Sequence, residues 1–415
     1  MTPNDATHMM PGALDGIVVL DLTRVLAGPY CTMTLGDLGA TVWKIENPTG
    51  GDETRAWQPP AVAGEATYYL SVNANKKSVA LDLKSEAGAQ IARDLARKAD
   101  VLVANFLPGT LERFGLDYAT VSATNPKIVH CAISGYGATG SRSQHAGYDF
   151  VIQGESGLMS ITGEPEGEPI KYGIATSDIM AGSNAVQAIL AALVARARTG
   201  RGQSIDISLL DSAIAALANV ASGALNANSG MERFGNAHAS IVPYQTFKTR
   251  DGAIVLACGN DRQFGDLCRD VIGRPELVDD ERFCSNSQRV INRTLLVAIL
   301  QSDFGAMSTE ALLARTRAVN VPAGEIRYLP AALEAPEVLE RGMVVTVDHP
   351  RAGRLRLTAS PLHLSDTPPR PRSAPPLLGE HTREVLGEVL GFDSQRLESL
   401  EAAGIVKSLL AAAPG

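Results

Sequence analysis

Residues 16–46 have the sequence GIVVLDLTRVLAGPYCTMTLGDLGATVWKIE, and this stretch decides the fold. GIVVLDL is a short run of aliphatic and β-branched residues, which is typical of a buried strand. VLAGPYCTMTLGDLG then supplies a turn and a segment of helix length, and TVWKIE predicts a second strand. A strand–helix–strand unit of this length places its two strands parallel, with the helix covering one face of the sheet.

The same alternation continues towards the middle of the chain. SEAGAQIARDLARKA has apolar residues at helical spacing, VLVANF predicts a strand, a helical segment ends at Pro126, and KIVHCAIS predicts another strand. Residues 135–173 are Gly-rich and irregular, as functional loops often are. A long Ala-rich helix then begins near Asp178. The pattern predicts the α/β class, with a mostly parallel sheet covered by helices.

The texture of the chain changes near residue 225, where a polar, loop-like stretch begins. We predict a large domain that starts with residues 1–224 and a smaller domain over residues 225–330. Residues 331–415 contain a predicted strand pair (VVTVDHP and RLRLTASP), a Pro-rich connector over residues 367–376 and a final helix. A chain of 415 residues commonly forms two domains, so this division fits its length.

Composition narrows the function class. The net charge is −8, whereas nucleic-acid binding needs a clustered basic face, so nucleic acid is not expected as a partner. Five scattered cysteines, without any CxxC, indicate neither a disulfide framework nor a zinc site. The first residues, MTPNDATHMMPG, lack the features of a signal peptide, and no run of about 18 apolar residues suggests a membrane span. We therefore expect a cytoplasmic protein without a metal.

GYGATG, residues 135–140, matches the dinucleotide-binding pattern G-x-G-x-x-G and follows a predicted strand. That fingerprint must also open an amphipathic helix, but SRSQHAGYDF follows and does not have a helical pattern. The loop is better suited to another phosphate-bearing ligand. Lys76, Lys77, Lys84 and Arg24 could contact such phosphates, although lysines near strand ends are usually only solvated.

Asp178 lies where the Gly-rich stretch meets the long helix, in YGIATSDIMAG. An aspartate in the first turn is often only a helix cap. The same helix terminus would lower its pKa, by no more than about 1.5 units, and keep it ionised at neutral pH. An ionised carboxylate can attack an activated acyl group, so the position fits either a structural or a catalytic role.

In their joint order these segments resemble the family III CoA-transferases, the group of formyl-CoA transferase and carnitine CoA-transferase, with their racemase relatives. The resemblance runs nearly end to end. It rests on DLTRVLAGPYCTMTLGDLGATVWKIENP, GGDETRAW, NANKKSVALDLK, ANFLPGTLERFGL, ISGYGATG, ATSDIMAG, TGRGQSIDISLLDS, FKTRDG and PLLGEHT. ATYYLSVNANKKS, AGYD, SGLMSITG and HASIVPYQTFKTRDG indicate the branch of succinyl-CoA-dependent dicarboxylate transferases, such as those for glutarate and hydroxymethylglutarate.

The resemblance implies a Rossmann-like large domain built from both chain ends, a smaller α+β domain and an interlocked homodimer. It places the family's nucleophile on Asp178 and its mobile substrate loop on Gly235, Asn236, Ala237 and His238. CoA would be a substrate rather than a tightly bound cofactor. The implied CoA contacts are Val25, Leu26, Ala27, Asn47, Leu81, Lys84, Asn105, Phe106, Arg113, Ser134, Gly135, Tyr136 and Gly137.

Three positions depart from particular family members. Leu26 stands where formyl-CoA transferase has Gln, so oxalate or formyl recognition is not implied. Asn47 stands where formyl-CoA transferase has an Arg that contacts CoA, so the resemblance implies that this contact is lost or moved. Tyr148 stands where the racemases have His, so the acid–base pair needed to epimerise an α-carbon lacks one member.

The resemblance implies CoA transfer from succinyl-CoA through an aspartyl-CoA thioester. The alternatives are an acyl-CoA racemase of the same fold and a non-catalytic acyl-CoA-binding protein. The acceptor is open among glutarate, 3-hydroxy-3-methylglutarate, itaconate, a malate-like acid and 3-sulfinopropionate. A cation should hold the free carboxylate of a dicarboxylic substrate, and the candidates are Arg55, Lys171, Arg233 and His238.

Overall fold

The computed structural model describes residues 11–229 and 232–409. The chain divides into two compact units. The larger unit takes its residues from Met1–Leu158, Tyr172–Ser222 and Pro336–Gly415. The second unit comprises Met159–Lys171 and Gly223–Ala335. The short segment before Tyr172 therefore belongs to the second unit, although most of that unit lies far later in the chain.

The first part of the larger unit alternates strands and helices. In chain order its elements are β1 (Val18–Asp21), α1 (Ala27–Asp37), β2 (Thr41–Glu46), β3 (Ala61–Val62), β4 (Glu65–Ala66), α2 (Thr67–Ser71), β5 (Lys76–Leu81), α3 (Glu86–Ala96), β6 (Val101–Ala104), α4 (Tyr118–Thr124), β7 (Val129–Ser134), α5 (Asp149–Glu155), α6 (Thr176–Thr199), β8 (Ser204–Ser208) and α7 (Leu209–Ala216). Short 3₁₀ turns lie at Glu53–Ala56 and Leu111–Phe114 in the larger unit, and at Met159–Ile161 in the segment that belongs to the second unit.

The helix α8 (Ala218–Ala227) leads into the second unit. There the elements are β9 (Tyr244–Lys248), β10 (Ala253–Ala257), α9 (Asp261–Asp266), α10 (Glu276–Asp279), α11 (Asn286–Ile291), α12 (Arg293–Gly305), α13 (Thr309–Ala318), β11 (Ala323–Glu325) and α14 (Leu329–Leu333). The chain then returns to the larger unit with α15 (Pro336–Glu340), β12 (Val344–His349), β13 (Gly353–Thr358), α16 (Thr382–Leu390), α17 (Ser394–Ala402) and β14 (Val406–Lys407).

The larger unit is built on one sheet, which in the described residues has seven strands in the order β14-β5-β2-β1-β6-β7-β8. All neighbouring strands are parallel except β14, which pairs antiparallel with β5. The predicted α/β class with a mostly parallel sheet is confirmed. From β1 the chain adds strands first in one direction, through β2 and β5, and then in the other, through β6, β7 and β8.

Helices cover both faces of this sheet, because side chains of a strand point alternately to the two sides. Leu20 of β1 packs in a core with α3, α16 and α17, whose buried residues include Ile91, Leu386 and Leu397. The neighbouring Val19 packs in the opposite core, with α1, α5, α6 and α7. The carboxy-terminal segment thus completes one face of the sheet that the amino-terminal segment begins.

The second unit has its own core around a three-stranded antiparallel sheet in the order β11-β10-β9. Phe247 of β9 and Phe304 of α12 meet edge to face, with ring centroids 5.0 Å apart. A short π-helical turn, Leu267–Val271, follows α9. The expected α+β character of this smaller part is confirmed.

The stretch from residue 135 to 173, predicted as irregular, contains one α-helix and a short 3₁₀ turn. α5 begins at Asp149, directly after the loop, and is only seven residues long. Its exposed Phe150 and Val151 break the usual apolar stripe, so hydrophobic periodicity could not identify it. The strand pair predicted near the end of the chain is present as β12 and β13.

The helix α6 is long and apolar enough by composition to cross a membrane. Its stripe of Ala181, Ala185 and Ile189 is fully buried in the core with α1 and the sheet. These contacts are those of a central core helix, and they account for its apolar composition.

Candidate active site

The strand order changes direction at β1 and β6, and the segments that follow these two strands therefore diverge. In parallel sheets such a point opens a crevice at the carboxyl ends of the strands, which is the usual ligand site. Leu22, Thr23 and Arg24 follow β1, and Asn105 and Phe106 follow β6. All five residues line pockets at this edge.

The larger pocket has a volume of about 920 Å³. Its walls are mostly apolar and include Leu22, Ile45, Leu81, Phe106 and Phe114. Arg24, Lys84 and Arg113 add positive charge, and Asn47 and Ser85 add hydrogen-bonding groups. An apolar cavity with a few cations suits a nucleotide better than a small dicarboxylate.

The three cations of the larger pocket differ in their partners. Arg24 pairs with Glu53, their nearest N and O atoms being 2.8 Å apart. Lys84 and Arg113 are exposed, and neither forms an ion pair with another residue in the ranges that the structure describes. Their charges are therefore available to an anionic ligand.

Two of the lysines considered for phosphate binding have other roles. Lys76 is fully buried, pairs with Asp21 and donates to the carbonyl oxygen of Pro29. Lys77 pairs with Glu384 of α16. Only Lys84 of the three lysines lines the pocket.

A smaller pocket of about 240 Å³ contains the predicted nucleophile. Asp178 lies in its wall together with Leu26, Ala27, Gly135 and Tyr148. Arg24, Glu53 and Phe106 line both pockets, so the two cavities share a wall. The Arg24 guanidinium lies 5.1 Å from the centre of the Phe106 ring.

Most of the predicted CoA contacts therefore meet at one edge of the sheet. Asn47, Leu81, Lys84, Phe106 and Arg113 line the larger pocket. Val25, Leu26, Ala27, Asn105, Phe106, Ser134 and Gly135 line the smaller pocket. Tyr136 and Gly137 line neither of these two pockets, and the Tyr136 hydroxyl instead donates to Glu155.

Buried charges hold the loop after β1 in place. Val25 has a φ of 70°, which is unusual for a β-branched residue. The Asp52 carboxylate accepts a hydrogen bond from the Val25 N–H at 3.2 Å, and Lys44 donates to both Asp52 and the carbonyl oxygen of Thr23. Lys44 and the Asp52 side chain are both fully buried. Their opposite charges raise the pKa of Lys44 and lower the pKa of Asp52, despite burial.

One feature of the sequence indicates the buried ion pair that supports this loop. Lys44 interrupts the apolar strand TVWKIE, and a lysine in a buried strand needs a partner. Asn105 adds a second clamp, because its amide accepts from the Arg24 N–H and donates to the Arg24 carbonyl oxygen. The loop that lines both pockets is thus fixed by residues far along the chain.

Asp178 is the third residue of α6, and its side chain is partly buried. The residue before the helix, Ala175, offers no side-chain cap. Asp149 of α5 takes that role by accepting from the N–H of Ser177 at 2.9 Å and from its hydroxyl. The carboxylate of Asp178 accepts no hydrogen bond from the described residues, and it faces the smaller pocket.

The pKa of Asp178 is raised to about 7, first by burial and second by the negative charge of Asp149. The expectation from sequence, that the helix terminus would lower this pKa and keep the carboxylate fully ionised, is therefore wrong. The helix contributes less than desolvation, and Asp149 has already engaged a first-turn N–H group. Burial and the charges of Asp178 and Asp149 also raise the pKa of Tyr68 to about 12, so its hydroxyl stays neutral.

Close packing brings two helix N-termini to the smaller pocket. Gly182 lies one turn after Asp178, on the same side of α6. A Cβ atom at Gly182 would lie 2.6 Å from the carbonyl oxygen of Ala27, the first residue of α1. Only glycine permits this approach. Leu26 and Ala27, at the beginning of α1, line the smaller pocket together with Asp178.

The glycine loop after β7 crosses the backbone at Gly147. A Cβ at Gly135 would lie 2.6 Å from the Cα of Gly147, so both positions need glycine. The Gly137 N–H donates to Ser134, and the Ala138 N–H donates to Asp206. No α-helix begins in residues 135–148, in agreement with the argument against a dinucleotide fingerprint.

The predicted substrate loop lies in the second unit. Gly235 has a φ of 56° and donates its N–H to the Gly163 carbonyl oxygen. The His238 N–H donates to the carbonyl oxygen of Tyr244, and its Nδ1 accepts from the Ser240 N–H. That bond places the ring proton of neutral His238 on Nε2. Asn236 lines an open cleft beside β9 and β10, and Ala237 donates its N–H to Phe234.

Two of the cations considered for a distal carboxylate are already bonded. Arg55 makes two hydrogen bonds to Glu46 and also donates to the Tyr69 hydroxyl. Arg233 donates to backbone carbonyl oxygens of residues 160–167. Both guanidinium groups therefore hold the fold together.

The comparisons with known proteins agree on one family. The family model described as CoA-transferase family III matches residues 14–382. The chain is 43% identical over 404 residues to succinyl-CoA:glutarate CoA-transferase of Mus musculus, covering 97% of this chain and 92% of that protein. It is 42% identical over 382 residues to succinate–glutarate CoA-transferase of Agrobacterium fabrum, covering 91% and 95%. The crystal structure of a CAIB/BAIF family protein from Brucella suis superposes with a TM-score of 0.81 at 42% identity, covering 91% of this chain and 100% of that chain.

Proposed function

The chain belongs to family III of the CoA-transferases, and on this premise we propose that it moves CoA from succinyl-CoA to a second, free dicarboxylic acid. The observation that carries the proposal is the Asp178 carboxylate. It accepts no hydrogen bond from the described residues and lines a pocket that shares a wall with a nucleotide-sized cavity. The two relatives named above carry succinyl-CoA, succinate and glutarate in their names, which supports a dicarboxylate acceptor.

The larger pocket receives the nucleotide end of CoA. Its apolar wall packs against the adenine ring, and the unpaired cations Lys84 and Arg113 attract the phosphates. The pantetheine arm then passes the wall formed by Arg24, Glu53 and Phe106 and carries the thioester to Asp178. CoA enters and leaves with its acyl group, so it acts as a substrate.

Asp178 is the nucleophile in this proposal. One of its oxygens bonds to the thioester carbonyl carbon, the C–S bond breaks, and CoA leaves as a thiolate with a mixed anhydride on Asp178. The thiolate then attacks the side-chain carbonyl carbon of Asp178, which releases succinate and leaves an aspartyl-CoA thioester. The acceptor carboxylate attacks this thioester, and the returning thiolate attacks the acceptor's carbonyl carbon, freeing Asp178. Four activated acyl transfers replace one slow exchange.

Each attack places negative charge on a carbonyl oxygen, and N–H donors must stabilise it. The first N–H groups of α1 are suited to this role, because a helix N-terminus has unpaired donors and a positive end. Leu26 and Ala27 line the smaller pocket with Asp178. In the substrate loop, the N–H groups of Gly235, Ala237 and His238 already donate to backbone oxygens.

Glutarate is the first acceptor to test, ahead of 3-hydroxy-3-methylglutarate, itaconate, a malate-like acid and 3-sulfinopropionate. Of the four side chains considered for the distal carboxylate, Arg55 and Arg233 are already bonded within the fold. His238 offers its Nε2–H group as a neutral donor and gains a charge when protonated.

The working form is proposed to be a cytoplasmic homodimer. Exposed apolar side chains that are neighbours in the chain support self-association, since contiguous apolar patches mark interaction sites. Examples are Phe150 and Val151 in the larger unit, and Tyr328 and Leu329 in the second unit.

The proposal is tested by incubating the protein with succinyl-CoA and each free acid, and following the CoA esters by mass spectrometry. We expect glutaryl-CoA and free succinate in equal amounts, with loss of turnover in Asp178→Asn. Incorporation of solvent deuterium at the α-carbon without exchange of the acid would instead indicate a racemase. If the protein binds succinyl-CoA but the CoA esters stay unchanged with every acid of the panel, the result would indicate a binding protein.

A further inference from the structure

The Asp149 carboxyl group of α5 accepts three hydrogen bonds, and two of them come from Ser177 at the beginning of α6. One of its oxygens, Oδ1, accepts from both the N–H and the hydroxyl of Ser177. The other, Oδ2, accepts from Nε2 of Gln153 at 2.7 Å. Asp149 accepts all three of these bonds, with both of its oxygens engaged.

Gln153 connects this carboxylate to the segment that leads into the helix. Its side chain is fully buried. Its Oε1 accepts from the N–H of Tyr172 at 2.7 Å, and its Nε2 also donates to the carbonyl oxygen of Ile174. Asp149 and Gln153 therefore fix both the first turn of α6 and the chain just before it, on the side of Asp178 that faces α5.

This arrangement leaves Asp178 without competing donors. A carboxylate in a first turn commonly turns back to the N–H groups of the helix terminus. Here Asp149 already accepts from Ser177, the residue next to Asp178, and Ala175 contributes no cap. The Asp178 side chain is thus directed to the smaller pocket rather than to its own helix.

Asp149 also places a second negative charge beside Asp178. The other titratable or charged groups of the described residues around the pocket are Tyr68 of α2, whose pKa is raised by burial and by both carboxylates, Tyr148 at the start of α5, and the ion pair of Arg24 with Glu53. Arg24 is paired with Glu53. Among the described residues it therefore forms no ion pair with Asp149 or Asp178.

We propose that Asp149 is a positioning residue, which holds the Asp178 carboxylate in the pocket free of hydrogen bonds and destabilises its anionic form by charge repulsion. The inference rests on the proposed role of Asp178 as the nucleophile. A carboxylate that is destabilised as an anion is more basic, and therefore a better nucleophile. The repulsion ends when Asp178 is acylated, because the acyl group removes its charge. Asp149 thus favours each covalent intermediate over the free carboxylate.

The test compares the wild-type protein with Asp149→Asn and Asp149→Glu. Asparagine keeps the acceptor for Ser177 and removes the charge, but its amide nitrogen cannot accept from Gln153. Glutamate keeps the charge and moves it. We expect Asp149→Asn to lower kcat for succinyl-CoA and glutarate at least tenfold at pH 8, with KM changed less than threefold. The midpoint of the rise of kcat/KM with pH should fall by at least half a pH unit. Asp149→Glu should lower kcat with the midpoint unchanged.

The matched control is Asp117→Asn. Asp117 caps α4 by accepting from the N–H and the hydroxyl of Thr120, but α4 contributes no residue to either pocket, whereas α6 contributes Asp178. This control should keep kcat and the pH midpoint of the wild type. If Asp149 has only a structural role, Asp149→Asn and Asp149→Glu should both lower the thermal stability, and Asp149→Asn should leave the pH midpoint unchanged. That result would overturn the inference.

If Asp149→Asn does not fold, Ser177→Ala carries the test, since it removes one bond to Asp149 and leaves the charge. A kcat lowered at least threefold at an unchanged pH midpoint supports positioning, and an unchanged kcat contradicts it. Failure of the proposed function is seen separately, because Asp178→Asn would then retain turnover whatever the result at Asp149.

Discussion

Asp178 shows how far a single residue can be interpreted from its sequence neighbours. Its position at the beginning of a long helix is visible in the sequence, and the structure places it third in α6. Its ionisation is not visible, because the burial and the Asp149 charge that raise its pKa to about 7 come from elements distant in sequence. Helix position alone gave the wrong direction for the pKa. Lys44, by contrast, could be recognised as a buried, paired lysine from its place in an apolar strand.

The raised pKa predicts a pH dependence of the reaction. Only ionised Asp178 attacks the thioester, so kcat/KM should rise with pH, reach half its plateau near pH 7, and stay high above it. Well below the midpoint the rate constant should fall about tenfold for each pH unit. Initial rates of glutaryl-CoA formation from pH 5 to 9, with saturating acceptor, measure this profile. A flat profile across pH 6 to 8 would show that Asp178 does not titrate there in the free protein.

The same shift predicts a stability gain on replacing Asp178. A carboxyl group whose pKa rises from 3.8 to about 7 on folding binds more protons in the folded state between these pH values, so stability falls as pH rises through that window. The loss above pH 7 is at most about 4 kcal/mol, at 1.36 kcal/mol per pKa unit. Asp178→Asn should therefore be more stable than the wild type at pH 8. Urea unfolding should show this difference shrinking as the pH falls towards 4, and a variant less stable at pH 8 would contradict the burial of the charge.

At the scale of elements, the strands and the longer helices were predictable because their patterns are local. β1, α1 and β2 follow directly from residues 16–46. The short α5 was not predictable, since its exposed apolar residues hide its periodicity, yet it carries Asp149. The meeting of α1 and α6 depends on Gly182, whose need for glycine follows only from the position of Ala27 in space.

Gly182→Ala should separate the N-termini of α1 and α6. The new methyl group would lie 2.6 Å from the Ala27 carbonyl oxygen, so one of the helices must move. Overpacking of this kind costs about 1–3 kcal/mol, and a displaced nucleophile lowers kcat about ten- to a hundredfold. The control is Gly387→Ala in α16, where the nearest contact of the new methyl is an ordinary 3.6 Å. Equal activity of both variants would show that the helix contact does not position the site.

At the scale of the whole molecule, the sequence predicted the fold class but not every connection. The order in which strands alternate with helices implies a parallel sheet, and the reversal of strand order at β1 and β6 explains why the pockets lie at this edge. The assignment of Met159–Lys171 to the second unit could not be predicted, because nothing in its composition separates it from the loop before it. The domain boundaries at residues 225 and 330 were predicted from the polar, loop-like stretch that begins near residue 225 and from the family resemblance. They stay a prediction.

Self-association is the prediction that belongs to this scale. If the exposed apolar side chains meet a second copy, light scattering after size-exclusion chromatography should give twice the mass of one chain. Dilution to nanomolar concentration should leave this mass unchanged if the dimer is interlocked. A double variant, Tyr328→Ser with Leu329→Ser, tests the exposed apolar pair directly, since Tyr328 is 87% exposed. If the protein is a dimer, the variant should weaken it; if the protein is a monomer, the variant should only improve its solubility. A single-chain mass with full transferase activity would contradict the dimer proposal.

The central claim is that CoA becomes covalently bound to Asp178 during transfer. The most direct measurement is mass spectrometry of the tryptic peptide of residues 172–196 after brief reaction with succinyl-CoA and quenching in acid. The account predicts a CoA thioester on Asp178, which hydroxylamine converts to a hydroxamate and which is absent in Asp178→Asn. A peptide that stays unmodified in both samples while glutaryl-CoA accumulates would contradict it.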